Sequence, residues 1–289
     1  MTMETPSFTP TTNKNQEFGP LSPARATEAV ARRIAVHPGM ASLRLFGERL
    51  RAKPLDRAEL AMMFASTAEF FREIPGGILA LALRLTDDWM PFRRFGAVSE
   101  GAQILYSAVD EFGLHQLRRG VQQSHHQYFL SMIEGFGYGE NDLLEPANVT
   151  DAASEMAALT NLFYRHRSIG ESLGFHLASE LTSDIEFSLC LEGLQAFPRE
   201  YSLTGPEDDR LGFYLIHTQV EPMHGASGQT AVEHYLSRRP GTADEVRAGA
   251  DAFMTGYGRF FIALLDRLSA GSDRPCSYPN VAQGIGRLN

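Results

Sequence analysis

Cysteine is scarce in this sequence of 289 residues: the two present, Cys190 and Cys276, lie far apart and form no CxxC pair. They suggest neither a disulfide framework nor a thiolate zinc site. Positive charge is also in deficit, with 26 Lys and Arg against 35 Asp and Glu and a formal net charge of −9. No long basic run offsets this locally, which argues against nucleic acid and anionic membrane surfaces as partners. Long apolar runs are missing too; the nearest, 76–85, is too short to span a bilayer. Residues 1–20 hold no basic segment followed by an apolar core, so no secretory signal is read there, and a cytoplasmic location is expected. Alternating β-type runs are nearly absent. The one glycine-rich run, with Gly135, Gly137 and Gly139, follows no strand and precedes no Lys-Ser/Thr, so it reads as helix termination and not as a phosphate loop.

What is present is helical periodicity and enough apolar content, 43%, to bury a sizeable core. Helices are predicted over 24–36, 40–52, 57–73, 77–85, 98–112, 120–136, 149–164, 169–197, 207–224, 230–238 and 242–268, and the fold class is all-α. Thr242, followed by Asp244 and Glu245, carries the acidic chemistry that suits a helix N-terminus. Residues 1–22, rich in Thr, Pro, Ser and Asn at their start, are expected to form a mobile arm. Residues 23–270 read as one helical domain, and 271–289 as an irregular tail.

The strongest local signal is FYLIHTQVEPMH, in which His217, Glu221 and His224 stand at i, i+4 and i+7. On an α-helix this spacing puts two imidazoles and a carboxylate on one face. Nitrogen and oxygen donors of this kind suit iron, manganese or zinc, and helical bundles project such ligands inward from facing helices. Other predicted helices offer more donors. The pair Asp110 and Glu111 precedes the pair His125 and His126, and Glu180 sits on a long apolar helix with His176 four residues before it. Pro222, directly after Glu221, removes a backbone donor and is expected to kink or loosen its helix.

With these segments in order, the chain resembles the haem-oxygenase-like diiron oxidases and oxygenases, the iron-containing redox enzymes. His217, Glu221 and His224 match the triple on that family's third core helix. The first core helix of the family shows a DE-x-G segment, a His followed four residues on by an aromatic, and a closing Gly; Asp110-Glu111-Phe112-Gly113, His125, Phe129 and Gly137 follow that order. In the second, a Gly precedes the ligand Glu by six residues, as Gly174 precedes Glu180. The resemblance therefore implies a haem-oxygenase-like seven-helix bundle and a metal set of Glu111, His125, Glu180, His217, Glu221 and His224. Fourteen residues separate Glu111 from His125, more than the family pattern leads one to expect. His115 or His126 in place of His125, and Glu171 or Glu186 in place of Glu180, stay open as alternatives.

The resemblance further implies two irons per chain, Fe(II)/Fe(III), with dioxygen as co-substrate. It implies an oxidoreductase acting on a small molecule, an amino acid, amine or fatty acid, in natural product biosynthesis, with room for an electron donor and for a homodimer. N-oxygenation is the favoured reaction and oxidative carbon–carbon cleavage the alternative; a non-catalytic metal-binding or interaction protein is the bland one. A thiaminase-like hydrolase would want a nucleophilic Cys facing carboxylates, a setting Cys190 lacks in sequence. Phe70, Phe71, Phe92, Phe95, Phe129, Phe175 and Phe187 read as core with some lining a pocket, and Arg93, Arg94, Arg165 and Arg167 as exposed cations.

Overall fold

The computed structural model describes residues 21–88, 94–114 and 123–270, with 94–97 and 270 as backbone only. The terminal segments, and with them Cys276, lie outside this range, as do His115, Phe92 and Arg93. The described residues form eleven α-helices, two short 3-10 turns and no strand. In chain order these are α1 (Pro23–Ala35), α2 (Pro38–Ala52), α3 (Arg57–Phe71), α4 (Ile74–Asp87), α5 (Arg94–Glu111), α6 (His125–Gly135), α7 (Glu140–Leu144), α8 (Asp151–Arg165), α9 (Ile169–Gln195), α10 (Gly212–Arg238) and α11 (Ala243–Ala270).

Local chemistry sets most of the starts. Asp56 and Glu59 form a reciprocal capping box at α3, Ser124 and Gln127 another at α6, and Ser168 and Glu171 a third at α9. Each box satisfies backbone donors that have no partner within the helix. Pro75 lies in the first turn of α4, where a missing N–H costs nothing. Glu171, one of the alternative ligands, is thereby accounted for: it closes a cap.

The centre of the bundle is α9, which packs against α2, α4, α8, α10 and α11. A helix surrounded in this way is apolar on every side instead of striped. Its closest neighbour is α11. A Cβ on Gly174 would lie 1.8 Å from the Val246 carbonyl oxygen, and one on Gly249 would lie 1.9 Å from that of Glu171. Only glycine lets these two backbones meet. The glycine that the sequence pattern marks ahead of Glu180 is thus a packing device that sets the depth of α9 in the bundle.

Two expected breaks differ from what forms. The helices predicted over 207–224 and 230–238 are one, α10, unbroken through Pro222. Packing of α10 along α9 and α5, which buries Gly225 and Gly228, outweighs the local cost of proline and glycine. Conversely, the helix predicted over 120–136 starts only at His125, where Ser124 caps it. Among the described residues no helix is long and apolar enough to cross a membrane.

Candidate metal centre

Four helices bring the acidic and imidazole groups together. At the end of α5, Gly113 adopts φ +82°, and the amides of Gly113 and Leu114 bond back to the carbonyls of Asp110 and Val109. This left-handed stop leaves Asp110 and Glu111 in the last turn of α5. His125 is the first residue of α6, so Glu111 and His125 stand on two different helices and their spacing is not that of one helix. His125 Nδ1 lies 3.1 Å from Glu111 Oε1. From α10, the His217 ring lies tilted beside His125 with centroids 4.2 Å apart. His217 Nδ1–H donates to the Phe213 carbonyl at 2.7 Å, which fixes the ring and directs Nε2 away from its own helix.

One turn further along α10, Glu221 and His224 face Glu180 of α9. His224 Nδ1 is 3.6 Å from Glu180 Oε2 and 3.7 Å from Glu221 Oε2. The six residues form two groups able to hold a metal ion, Glu111 with His125 and His217, and Glu180 with Glu221 and His224. In each group the ligand atoms lie within 4.8 Å of one another. Five of the six are buried and Glu111 is partly so. The structure thus brings the whole sequence-derived set to one place. His126 is exposed and belongs to neither group. Glu186 instead accepts a 2.7 Å hydrogen bond from Tyr257 Oη.

Two further residues join the site. Asp110 Oδ2 is 3.1 Å from His224 Nε2 and 3.7 Å from His125 Nε2. His176 Nε2 is 3.4 Å from Glu180 Oε1, while its Nδ1 is 3.1 Å from Tyr164 Oη. Adjacency to Glu111 was the only sequence signal for Asp110; the four-residue spacing to Glu180 was the signal for His176.

Electrostatics at the centre is dominated by burial and by the carboxylates. Burial pulls His125 down, but Glu111, Asp110 and Glu221 more than offset this and its pKa is raised. Burial likewise opposes charge on His224, yet the surrounding carboxylates of Asp110, Glu221 and Glu180 push it up to about 11. Burial raises both Glu180 and Glu221. His176, with no such carboxylate excess, is lowered to about 3 by burial and by His224, and stays neutral.

The donor set fits iron. Carboxylate oxygens and imidazoles without thiolate suit first-row metals of intermediate softness. Glu221 Oε2 is buried and accepts no hydrogen bond from the described residues; such an oxygen is costly unless a cation serves it. Cys190 is buried and free, and stands in neither group.

A profile of the family described as iron-containing redox enzymes matches residues 100–258, a stretch that holds both groups and more than half of the chain. The chain belongs to this family. As an iron-containing redox enzyme it is 25% identical to the 4-chloro-allylglycine synthase of Streptantibioticus cattleyicolor over 241 residues, 83% of this chain and 82% of that one. Among solved structures, a CADD-like protein of unknown function from Nostoc punctiforme aligns with a TM-score of 0.66 at 18% identity, covering 85% of this chain and 98% of that one. A domain of unknown function with a haem oxygenase-like fold, from Shewanella denitrificans, aligns at 0.58 with 14% identity, covering 89% and 99%. The expected all-α, haem-oxygenase-like bundle is the fold of this iron-containing redox enzyme.

A cavity of about 410 Å³ adjoins the centre. Glu111, His125, Glu180, His217 and Glu221 line its inner end, whereas His224 does not. Phe71, Ile78, Phe129, Phe187 and Phe213 are among its apolar lining, and the Phe187 ring lies tilted against His217 with centroids 3.9 Å apart. Glu69, Arg72 and Glu140 also line it, and the Arg72 side chain is more than half exposed. Of the phenylalanines singled out in sequence, Phe71, Phe129 and Phe187 line the cavity; Phe70 and Phe175 pack in the core. Arg165 pairs with Glu73 and Arg167 lies over the Phe163 ring, so neither serves the cavity.

Proposed function

We propose that this iron-containing redox enzyme is a non-haem diiron oxidase or oxygenase, with one iron in each group, that acts on an amino acid or amine with an apolar body. One observation carries the reading: both buried N/O groups share the floor of a single largely apolar cavity. When bound, a pair of irons in such a set supplies the electrons that activate dioxygen.

The chain's own residues do the rest. His217 is held by its hydrogen bond to Phe213, while Asp110 lies 3.1 Å from His224 and His176 lies 3.4 Å from Glu180, close enough to orient these donors electrostatically. Phe129, Phe187 and Phe213 keep water from the inner end. Arg72, which pairs with Glu69 and lies near Glu73, keeps an exposed guanidinium for a substrate carboxylate, and Glu140 offers an anion for its ammonium group. An amino acid clamped there presents the far end of its side chain to the centre. The family relative whose name specifies a chlorinated amino-acid product supports this substrate class.

N-oxygenation of a distal amine, with an external electron donor, is the reaction we favour. The aromatic wall at the inner end favours a second reading, oxidative carbon–carbon cleavage of an apolar chain. A panel of amino acids, amines and fatty acids offered with dioxygen to the ferrous-loaded protein separates them. Substrate-dependent dioxygen uptake with a product that gains one oxygen atom and keeps every carbon supports N-oxygenation, and a product short of carbon supports cleavage. No stimulation of uptake by any amino acid or amine, from protein shown to hold iron, would count against the substrate class.

A further inference from the structure

The centre is reached from a second side. A cleft of about 230 Å³ also ends on Glu180 and Glu221, and its remaining walls are Leu181 and Asp184 of α9 with Pro222, Gly225, Ala226 and Gln229 of α10. On α9 the spacing of Glu180 and Asp184 is one turn. On α10 the spacing of Glu221, Gly225 and Gln229 is two successive turns. The cleft is thus a groove between two helices that runs outward from the buried carboxylates. Pro222 and Ala226 are exposed at it, Asp184 and Gln229 half-buried. Gly225 helps hold it open: a Cβ there would meet only Leu181 Cδ2 at 3.4 Å and the Glu180 carbonyl at 3.9 Å, so the space it leaves is real but narrow.

The two openings differ in chemistry. In the large cavity the phenylalanine wall offers a hydrated divalent cation no oxygen in exchange for its water, and Arg72 repels it; Glu69 and Glu140 are its only acidic contacts among the lining residues outside the centre. In the groove it meets half-buried Asp184 and Gln229, which hold oxygen donors one helical turn and two from the centre, and then the buried carboxylates of Glu180 and Glu221. We propose that this groove is the entry path for ferrous iron, with Asp184 as the relay at its mouth, and that the organic substrate uses the other opening. The proposal rests on the reading that the two groups hold iron. It also gives the small residues of α10 a reason: bulk at 225 or 226 would shut the route.

The test is the rate at which metal-free protein takes up Fe(II) under anaerobic conditions, read by quenching with a coloured chelator and counting protein-held iron over time. Asp184→Asn and Ala226→Trp are expected to slow uptake on the order of tenfold, in line with the effect of a focusing charge on cation encounter. Final iron content and thermal midpoint should stay at the parent values, and Asp184→Glu should restore the rate. Ala68→Leu, which narrows the large cavity, should load at the parent rate. Parent-like uptake by both groove variants, or equal slowing by Ala68→Leu, overturns the entry role while leaving the iron reading intact. A parent protein that takes up no iron at all overturns both.

Discussion

Asp110 Oδ2 lies 3.1 Å from His224 Nε2, so the His224 ring is held on one side by a carboxylate outside both groups while Nδ1 faces Glu180 and Glu221. A carboxylate in this position selects the tautomer that carries its proton on Nε2 and makes Nδ1 the better donor. Asp110→Asn is expected to weaken one of the two irons by about 10- to 100-fold, the range seen when such supporting partners are lost. Competition of ferrous protein against a graded chelator reads this directly. Two affinities that separate in the variant would agree; a single unchanged affinity would not.

The closest crossing in the bundle predicts a different kind of loss. Gly174→Ala puts a methyl group 1.8 Å from the Val246 carbonyl oxygen, which is backbone and cannot rotate away. Helices α9 and α11 must then move apart, at a cost of about 3 kcal/mol. Urea unfolding should show a lower midpoint at unchanged slope. Because Glu180 rides on α9, the same variant should also hold less iron.

Glu186 sets a pH dependence of stability in the metal-free chain. Burial raises its pKa from 4.5 to about 7, against the opposing hydrogen bond from Tyr257. Between these values the folded chain keeps a proton that the unfolded chain has released. Stability from this group is therefore full below 4.5, falls as pH rises through about 7, and is level above. The span corresponds to about 3 kcal/mol. Glu186→Gln keeps an acceptor for Tyr257 and removes the titration, so its unfolding free energy should change less between pH 5 and pH 8 than that of the parent.

How much of this could be read in advance differs from element to element. Helical periodicity reveals the class, and the spacing of His217, Glu221 and His224 reveals one face of the centre, because both are local patterns along one helix. The capping box at Ser124 and Gln127 starts α6 at His125, and the helix expected over 120–136 passes over that local signal. Pro222 misleads when read alone, since the burial of α10 against α9 and α5 is a tertiary effect. The pairing of Asp110 with His224 joins residues from separate helices, and no sequence period connects them. Both openings onto Glu180 and Glu221 exist only once α9 and α10 lie side by side.

Iron content tests the two-group assignment most directly. Metal-free protein loaded with excess Fe(II) without oxygen, then freed of unbound metal, should hold two irons per chain, one for each group. His217→Ala and His224→Ala, which each remove a donor from a different group, should each hold about half of that. A parent chain that retains no iron, or variants that both retain the full amount, would contradict it.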